Sequence, residues 1–293
     1  MKINYLIRID GKKKSRRNVD MSYRDRNMEV CNENRTIVRN NGYHVNGHDI
    51  TLNHPLSEHQ RVEVYSPGRV EECVRQYEKT TGFRHSAGNN KISVENTDSF
   101  GIQTDMVMNF ANARHSGGGY LTGANAQEEA LCRQSTLYAS INSREANQMY
   151  AANQNVRDFD TDYLLVSPCV EVFRNRDLSF RERPFTTSVV TMAAPNRMGR
   201  ARDISDDRLR EYYRHRIRQM LCVAVSRKIH TITLGAWGCG AFRNDPREVA
   251  AAFKYVLVDE GLADAFEAVV FAIPKAHNPC HDNHERFKKI FEV

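Results

Sequence analysis

What the chain lacks narrows its class first. It has no apolar run long enough to span a bilayer. Its first residues, MKINYLIRIDGKKKSRR, hold neither a sustained apolar stretch nor a small-residue cleavage site, so a signal peptide is not expected. The seven cysteines (Cys31, Cys73, Cys132, Cys169, Cys222, Cys239 and Cys280) are odd in number, scattered and never spaced C-x-x-C, which reads as reduced thiols inside a cell. A cytoplasmic location is therefore expected, with the nucleus as the alternative in a eukaryote, and no membrane partner. No internal repeat or low-complexity segment interrupts the 293 residues, a length that supports one large domain or two small ones around a sizeable core. A formal charge of +6 suits an anionic substrate or a nucleic acid without choosing between them, and a solvated arginine-rich surface explains it equally well.

What is present is concentrated in Met106 to Ile141, MVMNFANARHSGGGYLTGANAQEEALCRQSTLYASI. Met106 to Phe110 is short, apolar and without helical period, and reads as a buried strand. Gly117, Gly118 and Gly119 follow; lacking Cβ atoms, they can take positive φ and bring their N–H groups close to an anion such as a phosphate. Seven residues later Gln127, Glu128 and Glu129 open a segment with apolar residues at Ala130, Leu131, Leu137, Tyr138 and Ile141, which is helical spacing running to Ile141. Two adjacent carboxylates thus fall in the first turn of a helix beyond a glycine loop. A helix start enriched in acids is the bland alternative.

Along the rest of the chain, Lys12, Lys13, Lys14, Arg16 and Arg17 form a basic cluster that reads as a solvated terminus or a nucleic-acid contact. Met21 to Val38 is a candidate polar helix, and Asn46-Gly47 a type I′ turn joining Gly42–Val45 to His48–Leu52. Strands are expected at Arg61–Ser66, Lys91–Glu95, Tyr163–Phe173, Thr187–Ala194, Thr231–Leu234 and Ala265–Ile273. Helices are expected at Pro67–Thr80, Asp206–Lys228 and His281–Phe291. A second glycine-rich loop, Gly235 to Phe242 (GAWGCGAF), leaves the Thr231–Leu234 strand, and Asp245, Pro246 and Glu248 form a capping-box arrangement for the helix behind it. Strands alternating with helices, several of them wholly apolar, imply a mixed or largely parallel sheet covered on both faces, with ligands bound where loops leave the strands' carboxyl ends.

The triple glycine, the seven-residue spacer and Gln-Glu-Glu together resemble the signature of bacterial-type poly(ADP-ribose) glycohydrolases built on a macrodomain. The resemblance runs from the leader helix to AFEAVVFAIP. It implies an α/β macrodomain-like three-layer α/β/α sandwich with a mixed central sheet. Residues 1–60 would form an N-terminal extension of basic tail, helix and hairpin packing on the core, and residues 61–293 the catalytic domain, expected to be a monomer. It also implies ADP-ribose or poly(ADP-ribose) as ligand, alone or attached to protein or nucleic acid. Gly117–Gly119 and Gly235, Gly238, Cys239, Gly240 and Ala241 would hold the diphosphate, with Gln127 beside them. Asp98 would contact adenine, Asn112 the distal ribose, and Phe242 would position that ribose. The last three also suit plainer roles: Asp98 a cap or turn residue, Asn112 a turn residue, Phe242 core. Trp237, the sole tryptophan, could line the pocket or anchor the loop.

Cleavage of a ribose–ribose O-glycosidic bond passes through an oxocarbenium-like state, and one carboxyl acting as acid and then base suffices. Consecutive helical residues diverge by about 100°, so a pair of carboxyls straddling the bond is a poor description, and the roles should divide. By resemblance Glu129 is the catalytic acid and base and Glu128 orients ribose hydroxyls. A neighbouring like charge raises Glu129's pKa while a helix N-terminus lowers it. The proposed hydrolysis needs no metal and no cofactor is expected; His277, Cys280, His281 and His284 superficially suggest a metal site, but they are confined to one terminal segment, whereas zinc usually needs four ligands with supporting partners. Removal of single ADP-ribose units is the neighbouring enzymatic alternative, a non-catalytic ADP-ribose reader the alternative of another class, and nucleic-acid binding through the basic cluster a third.

Overall fold

The computed structural model describes residues 22–85, 90–276 and 282–291. The basic cluster at 12–17 and His277, Cys280 and His281 lie outside them. The chain opens with α1 (Tyr23–Asn40), capped by Ser22, whose hydroxyl oxygen accepts from the Asp25 N–H. The hairpin β1 (Gly42–Val45) and β2 (His48–Thr51) turns at Asn46 and Gly47, both with positive φ (50° and 83°), as a type I′ turn requires. Then come α2 (Leu56–His59), β3 (Glu63–Tyr65), α3 (Pro67–Thr80), β4 (Ile92–Glu95) and β5 (Met106–Ala111). The chain continues through α4 (Gln127–Gln134), α5 (Leu137–Ile141), α6 (Asn147–Gln154), β6 (Leu164–Arg174), β7 (Phe180–Ala193), α7 (Asp206–Ser226), β8 (Thr231–Leu234), α8 (Pro246–Lys254), β9 (Ala268–Ala272) and α9 (Asn283–Phe291).

Seven strands form one mixed sheet in the order β3-β6-β7-β5-β8-β9-β4. From β7 to β4 every pairing is parallel, while β6 runs antiparallel to both β3 and β7. The central strand β5 is buried on both faces, and its alternation divides the core. Met106 and Met108 face a cluster built with Val70 and Tyr77 of α3, Ile217 and Leu221 of α7, Phe253 of α8 and Phe287 of α9. Val107 faces the opposite layer, with Leu131 and Cys132 of α4, Leu137 and Ile141 of α5, and Cys31 of α1. Helices on both faces of a mixed sheet give the expected three-layer sandwich. No helix among the described residues is long and apolar enough to cross a membrane.

Several elements depart from expectation. The helix read as continuous to Ile141 stops at Gln134, because Ser135 is extended (φ −148°, ψ −178°) and bridges to Val172. There Thr136 N–H donates to the Glu171 carbonyl while its hydroxyl oxygen accepts from Glu171 N–H, so side chain and backbone are spent on the strand rather than the helix. Strand β7 begins at Phe180, seven residues before the apolar run that marked it. Its first half pairs with β6 as a partly exposed antiparallel ribbon and carries Arg181, Glu182 and Arg183, so it shows no apolar run. At α8, Asp245 accepts from Arg247 N–H as a cap should, but Glu248 accepts from Arg210 of α7 instead of closing a capping box.

Candidate active site

Both glycine loops leave neighbouring parallel strands: Gly117–Gly119 follows β5, and Gly235–Phe242 follows β8. The adjacency joins residues more than a hundred positions apart at the carboxyl edge of the sheet.

The glutamates stand in the first turn of α4, 3% and 7% exposed respectively for Glu128 and Glu129. Their side chains start on diverging radii, yet both carboxyls reach Gly118. A Cβ added there would lie 2.6 Å from Glu129 Oε1 and 3.1 Å from Glu128 Oε2, at a φ of +55° that a side chain rarely adopts. Glu129 is held at both oxygens: Oε1 accepts from Gly119 N–H (2.8 Å) and Oε2 from Ala126 N–H (3.0 Å). The Gly119 donor, expected to face an anionic ligand, is thus directed at a carboxylate of the protein itself. Glu128 Oε2 accepts from Asn112 N–H at 2.8 Å and Oε1 from the Asn109 amide at 3.3 Å. Burial pushes the Glu128 carboxyl up to about 8, helped by the charge of Glu129, while the Asn112 N–H and the Asn109 amide oppose the shift. For Glu128, desolvation outweighs the repulsion from the neighbouring like charge.

Gln127 ties the helix start to the sheet. Its Oε1 accepts from Phe110 N–H, and its Nε2 donates to the Met108 carbonyl and the Ser99 hydroxyl. It lines a cavity of about 690 Å³ together with Asp98, Phe110 and Gly240. Asp98 Oδ2 is buried there without a hydrogen-bond partner, while the Asp98 carbonyl accepts from Gly101 N–H in a turn. Cys239, Gly240 and Ala241 line a neighbouring cavity of about 630 Å³, and Gly118 lines a third of about 380 Å³. Asn112 Oδ1 accepts from the N–H groups of Arg114 and His115, so that oxygen serves the turn after β5. In the second loop Gly235 is buried against Phe110, and Gly238 (φ +77°) is hemmed by Ala194, Asn244 and Tyr213. Phe242 is half-buried against the core, its carbonyl accepting from Arg197 N–H. Trp237 is fully buried, and its indole N–H donates to the Met192 carbonyl, which makes it the loop's anchor.

Sequence reasoning missed one side of the larger cavity. Tyr23 and Arg26 of α1, Arg133 of α4, and Arg176, Asp177 and Leu178 of the β6–β7 turn line it. Arg133 was open to discovery, being one helical turn beyond Glu129. The turn residues carry no local signal of a site. Among the described residues, no group of three or more His, Cys, Asp or Glu side chains could hold a metal.

The sandwich and the loops leaving β5 and β8 define a macrodomain-like protein. A profile for the catalytic domain of microbial-type poly(ADP-ribose) glycohydrolase (PARG) matches residues 31–175. The crystal structure of PARG from Thermomonospora curvata is 32% identical, with a TM-score of 0.80 over 92% of this chain and 100% of that one. The same enzyme bound to the inhibitor ADP-HPD gives 31% identity and 0.79, again over 92% and 100%. PARG from Deinococcus radiodurans in complex with ADP-ribose gives 32% and 0.72, over 82% of this chain and 98% of that one. No curated protein matches. The chain belongs to the microbial-type poly(ADP-ribose) glycohydrolase family.

Proposed function

We propose that this protein hydrolyses ADP-ribose linkages, and that its substrate is poly(ADP-ribose), cut at the O-glycosidic ribose–ribose bond to release ADP-ribose. The observation carrying the reading is the pair Glu128 and Glu129, packed on Gly118 beside a cavity lined by Asp98, Gln127 and Gly240. In the reaction, protonated Glu129 gives its proton to the bridging oxygen as the ribose C1–O bond breaks and that oxygen leaves as a hydroxyl. Water then adds to the oxocarbenium-like carbon, and the Glu129 carboxylate takes up the proton that water loses. Glu128, its carboxyl proton retained near neutral pH, hydrogen-bonds the ribose hydroxyls. The second loop, Gly235 to Phe242, lies against the diphosphate; among its glycines, a Cβ at Gly240 would meet nothing within 4 Å, so its backbone is open to approach. Asp98, with its unpartnered Oδ2, faces adenine, whose exocyclic amine is a donor.

The test supplies poly- and mono-ADP-ribosylated proteins and measures free ADP-ribose. Wild type should release it from the polymer, and Glu129→Gln should lose about 10²- to 10⁴-fold in rate, the share that general acid–base catalysis contributes. Undiminished turnover by Glu129→Gln would remove that residue from its role. Tight binding by wild type without turnover would make the protein a reader.

A further inference from the structure

Glu129 closes a ring. Its two oxygens take the N–H groups of Gly119 and Ala126, the two ends of the spacer between the glycines and the helix. Where that carboxyl sits therefore depends on the shape of residues 119–126. Inside the ring, Thr122 and Ala124 N–H groups both donate to the Gly119 carbonyl. Three successive carbonyls point outward, and each is taken by a side chain from a helix. Arg24 Nε donates to Thr122 (2.7 Å), Asn27 Nδ2 to Gly123 (3.1 Å) and Arg133 Nη1 to Ala124 (2.7 Å). The other arm of Arg133 donates to Asn125 Oδ1. Asn27 is fully buried and Arg133 is 2% exposed. Asn34, a further buried residue of α1, donates to the Arg133 carbonyl at 2.7 Å. Gly123 has φ +77°, and a Cβ there would collide with the Arg24 carbonyl, so α1 lies flush against the spacer.

A buried amide and a buried guanidinium are costly to desolvate, and a loop that merely connected two elements at the surface would leave its carbonyls to water. Here the carbonyls are fixed from outside while the N–H groups at the ends fix Glu129 from inside. We infer that Asn27 and Arg133 are positioning residues for Glu129, and that α1 acts through the spacer to hold the reacting carboxyl in place. The inference rests on the reading of Glu129 as the proton carrier. Asn27 is the sharper probe, because Arg133 also lines the ligand cavity and Asn27 does not.

The test measures kcat and KM on poly(ADP-ribose), ADP-ribose affinity, and thermal unfolding for four variants. Asn27→Leu keeps volume and loses the donor. Gly123→Ala pushes the same contact apart from the opposite side. Ile37→Ala removes core packing near the far end of α1, against Val38, Tyr43 and Phe173, without touching the spacer. Glu129→Gln reports on the underlying reading. Misplacing a catalytic group by an ångström can cost about 10²-fold, so Asn27→Leu and Gly123→Ala should each lower kcat by about 10- to 100-fold, with KM and ADP-ribose affinity within about twofold. The double variant should lose little more than either alone, since both break one contact. Ile37→Ala should lower the melting temperature and leave kcat intact. An unchanged kcat in folded Asn27→Leu, or an equal loss of kcat in Ile37→Ala, overturns the positioning role while leaving Glu129's role standing. Full activity in Glu129→Gln overturns both.

Discussion

The two glycine loops use the same residue for opposite reasons. In the first, glycine is required because something is already there: Gly118 lies so close to Glu128 and Glu129 that a Cβ would overlap the carboxyl oxygens. In the second, Gly235 and Gly238 are hemmed by the core, but Gly240 is exposed and a Cβ would enter open space between two cavities. One loop is closed on the carboxyls of Glu128 and Glu129, and the other stands open at Gly240. A glycine-rich loop beside a helix start is therefore not by itself an anion cradle; where its N–H groups point decides.

Alanine at each position should separate the two functions. Gly118→Ala should be the more damaging, lowering kcat by about 10²-fold, because the carboxyl must move by the better part of an ångström and the backbone must hold an unfavourable φ. Steady-state kinetics would show it, and a loss confined to KM would mean that this loop touches ligand after all. Gly240→Ala should leave kcat and the melting temperature near wild type and weaken ADP-ribose binding by several-fold, about 1 kcal/mol by the usual scale of a lost or obstructed hydrogen bond. Calorimetric titration with ADP-ribose would read it, and an unchanged affinity would place the diphosphate elsewhere.

A further effect concerns pH and belongs to the first loop alone, since residues 235–242 contain no carboxylate. Glu128 rises from the ordinary carboxylate range to about 8 on folding, so the folded state holds its proton more tightly than the unfolded state. Stability from this group is fully present below the unfolded value and is lost as pH climbs through the window from about 4.5 to about 8. Glu128→Gln, which cannot ionise, should flatten that part of the curve. The melting temperature of wild type should fall over the window by an extra amount on the order of 5 °C relative to the variant. Parallel curves would mean that Glu128 is already ionised at neutral pH.

Much of the fold was legible because its signals are local. Asn46-Gly47 encodes its own turn, α3 begins at its proline, and the mainly apolar Met106–Phe110 declares a strand covered on both sides. The features that escaped depend on partners distant in sequence. Ser135 leaves a helical pattern because Val172 and Glu171 offer it and Thr136 a strand edge. The first half of β7 is a strand because β6 lies beside it. At the candidate site, the place of Glu128 and Glu129 in the first turn of a helix was readable from type and spacing, whereas the donors that hold them were not. Nothing in the local sequence around Asn27 or Arg176 says that a loop or cavity built from distant parts of the chain will meet it.

The order of strands also bears on what can be detached from this protein. The segment matched by the family profile, residues 31–175, contains β5, both glutamates and the first loop. It does not contain β7 or β8, the two strands between which β5 is hydrogen-bonded. Excised, it would leave β5 with unpaired backbone on both edges and its methionines without α7 or α8 to cover them. The stretch by which the family is recognised is thus not a module that could be grafted elsewhere. The half that carries Glu128 and Glu129 becomes a folded object only when the later part of the chain has closed around it.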